Sequence, residues 1–427
     1  MLFVWLCFYV FLKGMEILTR WPQWQLPKKG PNMWKQCGSV YYLEGAVPAA
    51  LQPTVTVHAY DLDSTLVKTK SGRVMPKDGD DWMWAWPTVP SVLAATPQST
   101  ILAILSNQSP AGKSAAALSQ MQQRFAAVHA AIYAETGRRV WMLAATGSDI
   151  NRKPHTGMWT LLQQLLQRTI DKTTSAYVGD AAGRAGDHSV CDYAFAHNVG
   201  IPFYLPEAIF ADSEHAAPAD HVGYADDTVL QLEWMVRPPG TVVNGDRLPV
   251  LAEPTLCVLV GMPGSGKSSL ARLLLAASVP SAEGAEGAGA EAVAIIISRD
   301  ECGGQIKTVL RKIREALVQH PDASVIVDAT HPDAASRAAI LAVARPGMRK
   351  MAIVLTTSTP VAQHLNAARV ELGKTEKAVP AVAYRAFASR FTRPTEEEGF
   401  DSIHSYLPTI VCATDREYEV LRNGRFV

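Results

Sequence analysis

The chain has 427 residues, with 40 Lys and Arg balanced by 40 Asp and Glu, so its formal net charge is zero. That balance excludes a strongly basic nucleic-acid coat protein and an acidic solvating tail, but not a local basic groove, because binding follows the local field. With 48% hydrophobic and 19% charged residues, the chain is ordinary for a globular protein and long enough for two domains, three at most. The cysteines are Cys7, Cys37, Cys191, Cys257, Cys302 and Cys412. None forms a Cys-x-x-Cys pair or stands beside His at zinc spacing, which argues for a reducing compartment and against a disulfide framework or a zinc module.

In chain order, residues 2–12 (LFVWLCFYVFL) form an apolar run ended by Lys13. It is too short to span a bilayer and lacks the basic start and small-residue cleavage site of a signal peptide. Residues 1–14 are read as dispensable or as a translation-start artefact, ahead of a targeting segment or a helix packed on the body, and no stable membrane span is expected. Candidate strands then fall at Val55–Tyr60, Ile101–Leu105, Trp141–Ala145 and Ala176–Val178, with amphipathic segments Ser114–Tyr133 and Met158–Arg168 between them. Strand and helix alternating at this spacing predict a doubly wound parallel sheet. Residues 211–254, with Pro238-Pro239-Gly240, read as a connection with some helix. A second α/β run starts at Thr255, with strands at Leu256–Val260, Val293–Ile297, Ser324–Val327 and Met351–Leu355. Ser281–Ala290 (SAEGAEGAGA) is a low-complexity surface insert. The expected plan is an extension over 1–33, an α/β domain over 34–210, the connection, and a second α/β domain over 255–427.

The first strand ends in Asp61-Leu62-Asp63-Ser64-Thr65. Carboxylates at the carboxyl end of a buried strand sit where parallel sheets place ligands. Like charges this close require a cation or a proton, which implies Mg²⁺. One Asp can attack phosphorus, and the other can protonate a leaving oxygen and then activate water. Three later segments complete the pattern. Ser106-Asn107-Gln108 ends a strand with phosphate-binding groups. Lys153 precedes a helix and can neutralise a phosphoryl group. Asp180, in Gly179-Asp180-Ala181, can supply a further Mg²⁺ ligand. The loop after Thr65 holds Lys68, Lys70, Arg73 and Lys77, then Trp82, Trp84 and Trp86. These aromatics read equally well as a stacking channel for single strands or as anchors of the loop to the core.

These residues resemble the haloacid-dehalogenase-type phosphatases. The resemblance implies Asp61 as nucleophile, Asp63 as general acid/base, and Ser106, Lys153 and Asp180 as the remaining motif residues, with Asp61, Asp63 and Asp180 as metal ligands. Position 64, usually Gly in that family, is Ser here. The gaps from Asp63 to Ser106 and from Gln108 to Lys153 are too short for a large cap domain. The expected site is therefore open and suited to a macromolecular end.

In the second half, Gly261-Met262-Pro263-Gly264-Ser265-Gly266-Lys267-Ser268 follows a strand and opens a helix. Glycines let backbone amides curl around phosphates at a helix start. Lys267 would reach the β/γ-phosphates of ATP, and the Ser268 hydroxyl would hold Mg²⁺. Asp300 ends the next strand and can take a proton from an attacking hydroxyl. Longer strings, NRKPHTGMW at 151–159, VGDAAGR at 178–184, VDATHPDAASR at 327–337 and YRAFASRFTRPTEEEGF at 384–400, resemble the polynucleotide kinase 3′-phosphatase family over most of the chain. That resemblance implies a phosphatase domain followed by a kinase domain, acting on DNA 3′-phosphate and 5′-hydroxyl ends, with RNA-end healing by the same chemistry or an inactive end-binding scaffold as the alternatives. It implies Asp300 as kinase general base, Arg337 as a transition-state or substrate clamp, Asp328 in substrate or metal positioning, and Arg369 as a nucleotide-binding lid residue. Repair ligases or scaffolds are the implied partners, in the nucleus or the mitochondrion. The forkhead-associated domain of animal members has no room here, so recruitment through it is not expected.

Overall fold

The computed structural model describes residues 34–47, 53–184, 186–211, 226–241, 248, 251, 253–278 and 294–426. The chain divides into two compact units, the second taking over after residue 222.

In the first unit, seven strands form one sheet: Lys35–Cys37 (β1), Val40–Leu43 (β2), Val57–Tyr60 (β3), Ile101–Asn107 (β4), Trp141–Ala145 (β5), Ala176–Val178 (β6) and Phe203–Tyr204 (β7). Their order is β1-β2-β5-β4-β3-β6-β7. The pairs β1/β2 and β2/β5 are antiparallel and the rest parallel. From β3 the chain first builds outward on one side, through β4 and β5, and then crosses to β6 on the other. The carboxyl end of β3 is therefore the switch point, where a crevice opens in such sheets. Along β4, Ile101, Ala103 and Leu105 enter one core, while Leu102 and Ile104 enter the core on the opposite face. Both faces are covered, as a parallel sheet requires. The covering helices include Ala115–Thr136 (α1), Gly157–Leu166 (α2) and Cys191–Val199 (α3). Helix α1 starts at Ser114, whose hydroxyl accepts from the Ala117 amide, and stops at Gly137 in the left-handed region.

The second unit repeats the logic. Thr255–Val260 (β8), Ala294–Ser298 (β9), Ser324–Asp328 (β10), Arg349–Leu355 (β11) and Ser402–Tyr406 (β12) form an all-parallel sheet ordered β9-β10-β8-β11-β12. Leu256, Val258 and Val260 face one core, and Cys257 and Leu259 the other. Lys267–Ala277 (α4), Ala334–Leu341 (α5) and Thr359–Glu371 (α6) are among its helices.

The doubly wound pair of domains is as the sequence predicts, and each expected strand is present within a residue or two. Some features are additions. The hairpin β1/β2 and the edge strands β7 and β12 were not expected; they have two to five residues each, too few for a periodic signal. Part of the expected connection belongs to the second unit: Asp226–Met235 is helical, and Val236–Arg237 pairs in parallel with Ile410–Val411. Trp82, Trp84 and Trp86 pack against the first unit's core, and the Trp84 indole donates to Glu135 at 3.2 Å. They are anchors of the loop, which leaves its exposed cations Lys68, Lys70, Arg73 and Lys77 as the groups facing solvent. The apolar run 2–12 and the insert 281–290 lie outside the described residues. Among the described residues no helix is long and apolar enough to cross a membrane.

Phe125 on α1 is fully buried. Phe125→Ala is expected to cost about 3–5 kcal/mol through lost transfer energy and a cavity. Denaturant titration followed by tryptophan fluorescence measures this, and an unchanged midpoint would contradict the packing described.

Candidate active sites

Asp61 is the first residue past β3, and its amide donates to the Val178 carbonyl of β6 at 2.9 Å. A tight turn follows, in which the Leu66 and Val67 amides both donate to the Leu62 carbonyl. Ser64 occupies the left-handed region at φ 62°, which explains why glycine suits this position: only a residue without Cβ enters that region freely.

Lys153 is held by a reciprocal pair of bonds. Its amide donates to Asn107 Oδ1 at 2.9 Å, and Asn107 Nδ2 donates to its carbonyl at 3.0 Å. Its buried ammonium donates to Asp61 Oδ1 at 2.7 Å, Asp192 Oδ1 at 2.7 Å and Tyr177 Oη at 2.6 Å. Tyr177 passes its own hydrogen to the Leu105 carbonyl at 3.0 Å. Burial works against the Lys153 charge, but Asp192, Asp61 and Tyr177 outweigh it and hold the pKa well above the usual value. Asp192 also accepts from the Ala181 amide at 3.1 Å. A Cβ on Gly179 would sit 2.5 Å from the Asp192 carboxylate, so the Gly-Asp motif needs its glycine to admit Asp192.

One carboxylate oxygen each from Asp61, Asp180 and Asp192 lies within 4.8 Å of the others. Burial, with Asp192, Asp63 and Asp180 adding to it against Lys153, pushes Asp61 up to about 8. Burial and then Asp192 lift Asp180 to about 6. Hard oxygen donors crowded in a dry site suit Mg²⁺. Here the geometry departs from the sequence reading. The Asp63 carboxylate is not part of this group; it is turned to Arg124, at 2.6 and 3.1 Å, and to Gln108 Nε2 at 2.7 Å. An extended chain would bring residues two apart to the same face, but past β3 the chain turns tightly, with the Leu66 and Val67 amides on the Leu62 carbonyl and Ser64 at positive φ, so Asp63 leaves that face and Asp192 takes the place expected of it. Ser106 lies buried at the end of β4, with its hydroxyl 3.1 Å from Gln108 Nε2.

In the second unit the loop after β8 keeps Gly264 at φ 75° and Gly266 at φ 94°. A side chain on Gly264 would meet the Ala362 carbonyl of α6, and one on Gly261 would meet Ser265 Oγ at 2.7 Å. Lys267 donates to the Gly261 and Met262 carbonyls of its own loop at 3.0 and 2.6 Å. Burial lowers its pKa to about 8, with Asp328 and Asp300 pulling the other way. Ser268 donates to Asp328 Oδ2 at 2.6 Å, joining the hydroxyl to the strand-end carboxylate of β10. Ser265 Oγ is buried without a partner. A glycine-lined curl, a buried ammonium and an orphaned hydroxyl fit a nucleotide polyphosphate. Asp300 is exposed just past β9, near enough for its charge to act on Lys267.

Arg337 does not fit a clamp. It is fully buried, its guanidinium spans both Glu398 oxygens at 2.7 and 2.6 Å, and it also donates to the His331 and Thr392 carbonyls. With its donors committed inside the fold, it pins α5 to the segment 392–398. Arg369 is exposed in the last turn of α6, one turn beyond Asn366, whose Cβ lies 3.1 Å from where a Gly264 Cβ would stand. The side chains that sequence reasoning missed are Asp192, Tyr177 and Arg124. Arg124 carried a signal: a cation on the core-facing stripe Met121, Phe125, Val128, Ile132 of α1.

Two α/β units, each with phosphate-directed groups at the switch point of its sheet, define a two-headed phosphoryl-transfer enzyme with a phosphatase domain and a P-loop kinase domain. Residues 56–210 match the family model for polynucleotide kinase 3 phosphatase, and residues 256–394 match that for an AAA domain. The chain is 33% identical to a bifunctional polynucleotide phosphatase/kinase of Schizosaccharomyces pombe, over 88% of this chain and 85% of the relative. A putative bifunctional polynucleotide phosphatase/kinase of Acanthamoeba polyphaga mimivirus is 29% identical over 60% of this chain and 62% of its own. A polynucleotide 3′-phosphatase of Arabidopsis thaliana is 32% identical over 42% of this chain and 27% of its own. The chain belongs to the bifunctional polynucleotide phosphatase/kinase family.

Two outcomes follow from the geometry. The raised pKa values of Asp61 and Asp180 mean that folding opposes their ionisation, so without a cation stability falls as pH rises from the ordinary value of 3.8 through about 8. A divalent cation on the ionised group recovers that loss. Mg²⁺ is expected to raise the melting temperature more at pH 8 than at pH 5, with Asp180→Asn reducing the difference. Equal shifts at both pH values would contradict the cation site. For Arg337, replacement by Met leaves Glu398 without its partner and is expected to cost about 3–5 kcal/mol. A fully stable Arg337→Met protein that loses only kinase turnover would restore the clamp.

Proposed function

We propose that the first unit removes 3′-phosphates from DNA ends and the second transfers the γ-phosphate of ATP to DNA 5′-hydroxyls, restoring ends fit for a ligase. The observation that carries the reading is the fixed Asp61 carboxylate. Lys153 takes its Oδ1 at 2.7 Å, and the other oxygen would be the attacking atom. Asp61 Oδ2 would bond to phosphorus as the phosphorus–oxygen bond to the nucleotide breaks. Asp63 would give its proton to the departing 3′-oxygen, then take one from the water that cleaves the aspartyl-phosphate. Lys153 and the Ser106 hydroxyl would hold phosphoryl oxygens. Asp61, Asp180 and Asp192 would hold Mg²⁺, which supplies charge neutralisation as the anionic substrate approaches the carboxylates.

In the second unit the amides of Gly261, Gly264, Ser265 and Gly266 would cradle the ATP phosphates. Lys267 would leave its loop carbonyls for the β/γ-phosphates, and Ser268 and Asp328 would hold Mg²⁺. Asp300 would take the proton of the attacking 5′-hydroxyl, and Arg369 would close over the nucleotide. The order of domains and the names of the relatives support nucleic-acid ends as substrate. The exposed cations of the 68–77 loop favour a phosphate backbone. A nuclear place beside repair ligases follows from that role.

The test is a matched set of DNA and RNA oligonucleotides bearing 3′-phosphate or 5′-hydroxyl. Asp61→Asn is expected to abolish dephosphorylation and spare the kinase. Asp300→Asn is expected to lower kinase turnover by about 10²–10⁴-fold while ATP still binds and the phosphatase persists. Phosphatase turnover in clean Asp61→Asn protein, or higher specificity constants on RNA, would overturn the corresponding assignment.

A further inference from the structure

We propose that Arg124 is a positioning residue for Asp63, fixing that carboxylate beside the phosphate pocket of the first unit. The inference rests on the phosphatase reading above and adds a residue that neither the motif pattern nor the chemistry of the reaction names. Arg124 lies on α1, among the apolar residues that face the core, and only 3% of its side chain is exposed. Its one carboxylate partner among the described residues is Asp63, met in the forked geometry that fixes a carboxylate's plane as well as its place. Gln108 closes the array. Its Nε2 donates to Asp63 Oδ2 at 2.7 Å and to Ser106 Oγ at 3.1 Å, and its Oε1 accepts from Arg124 Nη2 at 3.4 Å. The chain Arg124–Asp63–Gln108–Ser106 thus ties the acid/base carboxylate to the hydroxyl that would grip the phosphate.

Stability does not account for this arrangement. Asp63 is 44% exposed and would be solvated unaided, whereas burying a guanidinium to meet it is costly. The Arg124 Nε is left without a partner, a cost a purely structural arginine has no reason to bear. What the fork provides is orientation. An aspartate at the rim of a turn otherwise samples several rotamers, and a misplaced group of this kind lowers turnover without loosening substrate.

The experiment uses the full chain with Arg124→Met and Arg124→Lys, each checked by thermal melting. Two substrates are compared: a 3′-phosphorylated oligonucleotide, whose alkoxide must be protonated as it leaves, and p-nitrophenyl phosphate, whose phenolate leaves unaided. Arg124→Met is expected to lower kcat on the oligonucleotide on the order of 10²-fold, with KM nearly unchanged. On the aryl phosphate it should show a burst of one nitrophenolate per enzyme, followed by slow turnover, because phosphoenzyme forms but water is poorly activated. Arg124→Lys, which keeps the charge without the fork, should show a smaller loss with the same burst, and it carries the test if the methionine variant does not fold. Wild-type kcat in a folded variant, a loss confined to KM, or equal losses on both substrates without a burst would overturn the proposal. A wild-type protein inactive on both substrates would instead overturn the phosphatase reading, and this inference with it.

Discussion

The ammonium of Lys153 has three hydrogens, and each meets an oxygen brought by a different part of the first unit: Asp61 after β3, Tyr177 on β6 and Asp192 on α3. Burying a lone charge is prohibitively costly, and burying one with every donor answered is not. The match therefore fixes more than a side chain. It accounts for why α3 begins where Asp192 reaches back under Gly179, and why the end of β4 carries Asn107 to grip the lysine backbone from both sides. Lys153 offsets part of the charge of the three carboxylates in this pocket, and the raised values of Asp61 and Asp180 show that the rest is left over.

The second unit meets the same problem with other means. Its substrate group is also a phosphate at the switch point of a parallel sheet, but the binding groups are mostly backbone amides. Glycines at 264 and 266 accept positive φ, and Gly261 and Gly264 leave room where a Cβ would strike Ser265 or α6. One lysine supplies the charge, and it bonds to the Gly261 and Met262 carbonyls of its own loop. On the function proposed above, the attacking group of the first unit belongs to the protein and is held by side chains, and that of the second belongs to the substrate, with the protein supplying a cradle and a base.

Residues that work beside their own strand ends were legible in the sequence: Asp61, Ser106 and Asp180 at the ends of buried strands, and the P-loop between its strand and helix. Lys153 was legible through its place before α2. Residues that act across the fold were not. Asp192 lies far along the chain from Asp61 and reaches it only because β6 pairs with β3. Tyr177 alternates into the core like any aromatic strand residue. Arg124 was visible as a charge on an apolar stripe, though nothing in the sequence said which acid it met. Arg337 failed in the other direction: an arginine on a helix after a strand-end aspartate has the sequence profile of a phosphate clamp, and only Glu398, 61 positions later, shows it to be a strut.

The central claim is that the Lys153 array holds Asp61 as a nucleophile, and the most direct measurement is acid-quenched trapping of phosphoenzyme. Full-length protein is mixed with an oligonucleotide bearing a ³²P-labelled 3′-phosphate, quenched within a turnover, digested and mapped. The account predicts acid-stable, alkali-labile label on the peptide containing Asp61, absent from Asp61→Asn. Label on any other residue, or full dephosphorylation with no covalent label at any time point, would contradict it.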